Sequence, residues 1–387
     1  MIITRNILFK NFSKKYSSSV NNKLKLLLRE NNEILNSLKS SYRYSYTNKF
    51  VIRYKKNFSI LRIVGMGGSI LGTKAIFSFL EKKIKKKIVF FDNLIPKFKS
   101  KNEKKILNLI VSKSGNTLET ISNVNNLIKK NQKNIFITEN NTSYLRMLAN
   151  KMKAEVVDHN NYIGGRYSVL SEVGMLPASL VGLNEKKFKQ FNNLIKKKNF
   201  INSLVQNVNN ILFFVKKKKY NSIIINYDEN AEDLFKWYQQ LVGESLGKKQ
   251  KGIFPLISTM PKDNHSLMQL YLDGPKQNFF TLFSVREKDS NKIINSSILK
   301  SHKYIKNKKF SEILEAQKKA TEKVFSKNKI PFRSFEILNR NEEVLGELFT
   351  FFILETILLG KFLNLNPYNQ PAVEMIKKNT KKILMNS

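Results

Sequence analysis

The stretch LNLIVSKSGNTLET, residues 107–120, sets an apolar run directly before small hydroxyl residues and a glycine. Ile110 and Val111 are β-branched, as a buried strand favours, and Thr117 followed by Glu119 and Thr120 supplies helix-start chemistry. The spacing predicts strand, loop and helix in immediate succession. At such a junction unpaired backbone N–H groups and the helix dipole favour an anion, and Ser112, Ser114 and Thr117 add neutral donors, so the loop reads as a phosphate cradle. The same segment taken alone also fits an ordinary Ser/Gly turn capped by hydroxyls. The rest of the chain has to decide between them.

Upstream, the short apolar run 61–64 leads into GMGGSILG, residues 65–72, where Gly67 and Gly68 allow close approach of backbone to a ligand and Ser69 offers a hydroxyl. A dinucleotide fingerprint competes for this loop. It requires a third glycine where Ile70 stands, although Asp92 after the run IVFFD is the acid such a site uses on a ribose. Further strand-like runs at 88–91 and 135–138 alternate with helical stretches, and a second series begins near Ser222, with runs at 223–225 and 279–283. That alternation predicts two α/β domains, each a parallel sheet flanked by helices, with a helical C-terminus. Ligand should then sit outside the carboxyl ends of the strands.

Three further segments carry candidate chemistry. In GGRYSVLSEVGMLP, residues 164–177, two glycines precede Arg166, whose fixed charge would steady an oxyanion in a cleft; a surface ion pair is the plain alternative. In NAEDLFKWYQQLVGESLGK, residues 230–248, Leu234, Trp237 and Leu241 mark an apolar helical face on which Glu244 is next. Partial burial and the negative end of the helix dipole push such a carboxylate toward the basicity of a useful proton acceptor, while capping or ion pairing is the plain reading. In the loop Asn264-His265-Ser266, His265 is either an exposed histidine or an acid/base group with nearly the right pKa untuned. The terminal run NPYNQPAVEMIKKNTKKIL puts Pro371 in a helix first turn and predicts a buried stripe of Val373, Ile376, Thr380, Ile383 and Leu384, with Lys377 at its edge and able to reach a cleft.

Composition bounds the rest. A chain of 387 residues holds more than one domain, and the absence of cysteine excludes disulfides, thiolate nucleophiles and Cys-based zinc sites. The three histidines, His159, His265 and His302, share no metal-ligand spacing, so no metal is expected. The net charge of +40 raises nucleic acid as a partner, but the lysines are dispersed, without an interleaved aromatic platform. An A/T-rich coding bias explains them more economically, and no nucleic-acid partner is predicted. The basic, Ser-rich start before Glu30 reads as an ordinary N-terminal helix, with Leu24, Leu27, Leu28 and Leu35 near helical spacing, rather than as a targeting segment. The most apolar stretch, 344–360, is short for a bilayer and is interrupted by Glu347 and Glu355, which predicts a core helix and no membrane span.

Taken as an ordered set, GMGGSILG, SKSGNTLET, GGRYSVLSEVG, GESLGK, NHS and NPYNQPAVEMIK resemble the glucose-6-phosphate isomerase (phosphoglucose isomerase) family in its shorter bacterial form, over roughly residues 45–384. The resemblance implies two sugar-isomerase (SIS) domains plus a C-terminal helical segment. The expected divisions are an N-terminal helical segment at 1–44, a first SIS domain at 45–190, a second at 191–362, and at 363–387 a C-terminal helix completing the active site. It implies an aldose-ketose isomerase that interconverts glucose 6-phosphate and fructose 6-phosphate through an enediol(ate), in glycolysis and gluconeogenesis, in the cytoplasm and without a cofactor. By the same resemblance Gly68, Ser69, Ser112, Ser114, Thr117 and Gln370 would bind substrate. Glu244 would move the proton, Arg166 would steady the enediolate, and His265 and Lys377 would assist ring opening. The family's histidine comes from a neighbouring subunit, which implies a homodimer with shared sites. A broader phosphoglucose/phosphomannose isomerase and a non-catalytic sugar-phosphate sensor are the alternatives. Asn116 stands where many relatives carry Gly or Thr, and 288–329 is lysine-rich and divergent.

Overall fold

The computed structural model describes residues 2–94, 105–287, 289–294 and 298–386. Among the described residues eleven strands build two sheets: β1 (Ile2–Thr4), β2 (Ile7–Lys10), β3 (Ile60–Gly65), β4 (Lys87–Phe91), β5 (Ile106–Val111), β6 (Lys133–Thr138), β7 (Glu155–Asp158), β8 (Asn221–Asn226), β9 (Phe254–Thr259), β10 (Asn278–Val285) and β11 (Phe332–Ile337). The first sheet has the order β4-β3-β5-β6-β7 and is parallel throughout. Its inner strands are buried on both faces because helices cover both, and β3 and β5 are apolar but for Arg62 and Asn108, which are buried with them.

From β3 the chain first crosses to β4 on one side and then to β5 on the other. The loops leaving β3 and β5 therefore diverge over a crevice, the position at which doubly wound sheets bind ligands. Gly65 at the end of β3 lies opposite Val111 at the end of β5, so the glycine loop and the hydroxyl loop start level with each other.

The second sheet runs β1-β2-β11-β10-β8-β9, with β11, β10, β8 and β9 mutually parallel. The hairpin β1–β2 adds to β11 in antiparallel sense. This corrects the expectation of a separate helical segment over 1–44. Ile3, Ile7 and Phe9 are buried in the main core, so the chain begins as sheet, and only then come the helices Ser18–Arg29 and Glu33–Leu38. Leu24, Leu27 and Leu35 are buried as their spacing predicts, although Asn32 caps a second helix between the last two.

The helix Glu342–Phe362 is buried almost end to end, as expected of 344–360, and its two interior acids are satisfied inside the core. Glu347 accepts from Thr4 Oγ1 at 2.8 Å. Glu355 forms a fully buried ion pair with Arg333 of β11 and accepts from Tyr238 Oη at 2.9 Å, while Arg333 also donates to Asn207 Oδ1 at 2.8 Å. This network ties β11 to three helices, among them Glu232–Leu246. That helix packs in turn on the helix Leu71–Phe79 of the first sheet, and so it fixes the two halves against each other.

Among the described residues no helix is long and apolar enough to cross a membrane, and no group of His, Asp or Glu is placed to hold a metal ion. The C-terminal helix Val373–Asn386 departs from expectation, since none of its residues is buried. Ile376 and Ile383, meant for a buried stripe, are 70% and 69% exposed. A 3.6-residue apolar period identifies a face that wants cover, but not whether the same chain supplies it.

Candidate active site

The hydroxyl loop closes the end of β5. Ser112 is buried and shares a 3.0 Å hydrogen bond with Thr117 Oγ1, whereas Ser114 is exposed. Thr117 is the N-cap of the helix Leu118–Leu127 but makes no side-chain cap bond, because its hydroxyl is turned to Ser112 instead. Gly115 has φ +63°, and a Cβ there would lie 2.1 Å from Ser143 Oγ, so the loop needs glycine at this point. The strand, loop and helix predicted from 107–120 are all present.

Across the crevice, Gly67–Ser69 forms a single 3-10 turn at the end of β3. A Cβ on Gly68 would lie 2.2 Å from the Gly165 carbonyl carbon. Gly68 thus permits a backbone contact between the two turns, and that contact delivers Arg166 to the same end of the sheet. Gly68 is buried in it and Ser69 is partly open. Asp92 forms an ion pair with Lys74 at 2.7 Å.

Arg166 is 1% exposed. Its Nε donates to Ser245 Oγ at 2.9 Å, and Nη1 donates to Glu244 Oε2 at 3.1 Å and Gln370 Oε1 at 2.8 Å. Nη2 donates to the carbonyls of Pro367 at 2.7 Å and Asn369 at 3.2 Å. A guanidinium has five N–H groups, and all five are engaged. Such a charge is stable in the interior only because every donor is met.

Glu244 lies in the last turn of the helix Glu232–Leu246, its side chain 32% exposed, while Leu234, Trp237 and Leu241 on the same face are buried. Gln240, one turn earlier, donates to Glu244 Oε1 at 2.9 Å, so each carboxylate oxygen is held by a different partner. Trp237 Nε1 donates to the Arg166 carbonyl at 3.0 Å, and Tyr167 Oη meets Ser245 Oγ at 2.8 Å and the Pro367 carbonyl at 3.0 Å.

Two expected site residues stand apart from this cluster. His265 is exposed on the loop after β9, beside Glu229, Met260 and Lys262. Lys377 pairs with Glu374 of its own helix at 2.7 Å, its side chain 66% exposed, which corrects the expectation that it reaches the cleft from within this chain. Ser245, Tyr167, Gln240 and Lys248 were not singled out in the sequence. Gln240 precedes Glu244 by four residues, a helical spacing that carried the signal.

A model of the phosphoglucose isomerase family matches residues 14–259. The glucose-6-phosphate isomerase of Methanocaldococcus jannaschii is 34% identical over 339 residues, 82% of this chain and 82% of that one. That of Mycoplasmopsis pulmonis is 32% identical over 359 residues, covering 85% and 84%. Among solved structures, a hypothetical protein of Thermus thermophilus superposes with a TM-score of 0.82 at 23% identity over 95% of this chain and 94% of that one. A glucose-6-phosphate isomerase of Chlamydia trachomatis gives 0.72 at 16% identity, over 98% and 89%. A tagatose-6-phosphate ketose/aldose isomerase of Escherichia coli gives 0.52 at 14%, over 90% and 91%.

Proposed function

The chain belongs to the phosphoglucose isomerase family, and from that premise we propose that the crevice between the loops leaving β3 and β5, closed by Arg166 and Glu244, is its active site. The protein is an aldose-ketose isomerase that interconverts glucose 6-phosphate and fructose 6-phosphate, a step of glycolysis and gluconeogenesis. In the site we propose, the phosphate is held by Ser112, Ser114, Thr117 and Ser69 with the backbone near Gly68, and Gln370 bonds the sugar. Anchoring the remote phosphate orients the reacting carbons without touching them.

Glu244 takes the proton from C2 of the aldose or C1 of the ketose and returns it to the neighbouring carbon, while Arg166 carries the charge of the enediolate between the two steps. The single observation behind this reading is the 3.1 Å contact between a buried guanidinium and a half-open carboxylate at the end of the sheet. Because Arg166 has no spare N–H, substrate has to take over one of the two Nη1 bonds, from Glu244 or from Gln370. Either exchange frees a group the reaction needs.

His265 assists ring opening in this scheme, and does so in the partner's site of a homodimer. Two exposed apolar faces support the dimer. One is the C-terminal helix, with Val373, Ile376, Ile383 and Leu384 exposed; the other is Phe254 and Leu256 on the edge strand β9 with Leu270 nearby, beside the His265 loop. The helix carries Lys377, Lys378, Lys381 and Lys382, and the His265 loop carries Asp263. Charge does not select this pairing, because Asp263 lies beside Lys262; apolarity matches one copy's helix to another copy's face. We place the reaction in the cytoplasm, since sugar phosphate dianions do not cross a bilayer unaided, and read 45–190 and 191–362 as the two SIS units, the N-terminal hairpin belonging to the second.

The direct test follows fructose 6-phosphate by proton NMR with the protein in deuterated water. Glucose 6-phosphate labelled at C2 is the expected product. Mannose 6-phosphate beside it would widen the specificity, and binding without exchange would replace the enzyme by a sensor.

A further inference from the structure

We propose that the turn at residues 248–251 is a clamp that holds the segment 363–370 over Arg166, with Lys248 as a positioning residue for the isomerisation. The inference rests on the isomerase reading given above.

Lys248 and Lys251 face each other across a two-residue turn, each backbone N–H donating to the other's carbonyl, at 3.2 and 2.9 Å. The two residues between them, Lys249 and Gln250, have φ of 51° and 58°. Two left-handed residues in succession make the type I′ geometry that normally selects Asn and Gly. Here side chains occupy both positions, and strain of this kind is kept where the surroundings hold it in place. What the turn achieves is to send two ammonium groups toward the same segment. Lys248 Nζ donates to the carbonyls of Asn366 and, at 3.2 Å, Ser245; Lys251 Nζ donates to that of Leu363 at 3.1 Å.

The next oxygens along that segment, those of Pro367, Asn369 and Gln370, belong to Arg166. Segment 363–370 is thus fastened by three cations in sequence. Without Lys248, its hold near the site would fall to the Tyr167 hydroxyl on the Pro367 carbonyl, Asn32 on Tyr368, and Arg166, which must give up an Nη1 bond when substrate arrives. A separate fastener keeps Gln370 and the two carbonyls in register while Arg166 exchanges partners.

The charged groups that bear on Lys248 are Arg166 and Glu244, with Lys251 across the turn. Burial, and after it the Arg166 charge, lowers the Lys248 ammonium to about 8, with Glu244 opposing. The clamp then weakens as pH rises through that value, because a neutral amine is a poorer donor than an ammonium.

The test compares full-length wild type, Lys248→Met and Lys248→Arg in fructose 6-phosphate turnover. Lys248→Met should lose roughly tenfold or more in kcat with KM within about threefold, since the phosphate loop is untouched. Lys248→Arg should recover most of that loss. It should also keep its kcat at pH 9, where the wild type declines. Trp237, the only tryptophan in the sequence, donates to the Arg166 carbonyl and so reports on this region; its emission should shift in the Met variant alone. Wild-type kcat in Lys248→Met overturns the clamp, and so does an alkaline decline shared by wild type and Lys248→Arg. Should the Met variant not fold, that pH comparison decides by itself. A wild type without turnover would instead strike at the isomerase reading.

Discussion

Arg166 Nη1 binds Glu244 Oε2 and Gln370 Oε1 at once, so the group meant to carry the negative charge of the intermediate is occupied by the group meant to create it. These contacts close the proposed site on itself. Substrate has to open it.

Glu244→Gln keeps the shape but leaves one acceptor oxygen where Gln240 and Arg166 each had their own, and it removes the proton acceptor. A fall in kcat of about a hundredfold or more is expected, the size of a lost general base. Because the side chain is partly open at a helix end, the circular dichroism spectrum and melting temperature should stay close to wild type. Turnover near normal in this variant would remove Glu244 from the chemistry.

Ser114→Ala separates binding from folding. The hydroxyl is exposed and accepts only the Asn116 N–H, at 3.3 Å, so its removal should cost little stability. If it donates to phosphate, the loss of one bond to a charged group raises KM and the inhibition constant of a sugar-phosphate analogue about tenfold. Titration calorimetry with that analogue checks it, and an unchanged affinity would take Ser114 out of the cradle.

The elements that position the chemistry were legible where local pattern and tertiary use coincide. Apolar runs ending in glycine or serine gave β3 and β5, and the face Leu234, Trp237, Leu241 placed Glu244. β9 and β11 were missed because their residues contradict a buried strand until the rest of the fold is known. Phe254 and Leu256 of β9 face outward with Pro255 between them, and Arg333 of β11 is tolerable only because Glu355 lies opposite on another helix. Part of the hold on Arg166 was illegible for a different reason, since two of its five bonds go to the backbone carbonyls of Pro367 and Asn369, which any residues there would supply. The C-terminal helix shows the converse. Its apolar period was legible, but none of the residues of that stripe is buried in this chain, because a period marks a face that wants cover and not where the cover comes from.

His159 gives the fold a pH dependence. It is buried, its Nδ1 lies 2.8 Å from the Asn160 carbonyl, and burial lowers its pKa to about 4, Lys113 adding to the effect. Between that value and the ordinary 6.5 the unfolded chain binds a proton that the folded chain does not, so stability rises with pH across this window and falls as pH drops through it. The difference is on the order of 3 kcal/mol. Urea unfolding of wild type and His159→Gln between pH 4 and 7 should show the steeper acid loss in the wild type; equal slopes would mean that His159 is charged or open in the folded state.

Shared sites make a prediction that neither residue can make alone. If Glu244 acts in its own chain and His265 in the partner's site, Glu244→Gln and His265→Ala homodimers are both impaired at every site. A mixed dimer differs. One of its sites combines both substitutions, whereas the other combines an intact Glu244 with an intact His265. Random reassortment of equal amounts makes half of the dimers mixed, each with one good site, so about a quarter of wild-type activity should return. Subunit exchange is slow if the apolar faces of the C-terminal helix and β9 are buried between copies, so the two variants should be mixed in denaturant and refolded together, with sedimentation velocity confirming dimers. Dimers that regain nothing would mean that His265 serves its own chain or none. Ile376→Asp supplies the companion measurement. A carboxylate in the centre of a buried apolar face is not tolerated, so this variant should sediment as a monomer and lose turnover even though Ile376 itself touches no substrate.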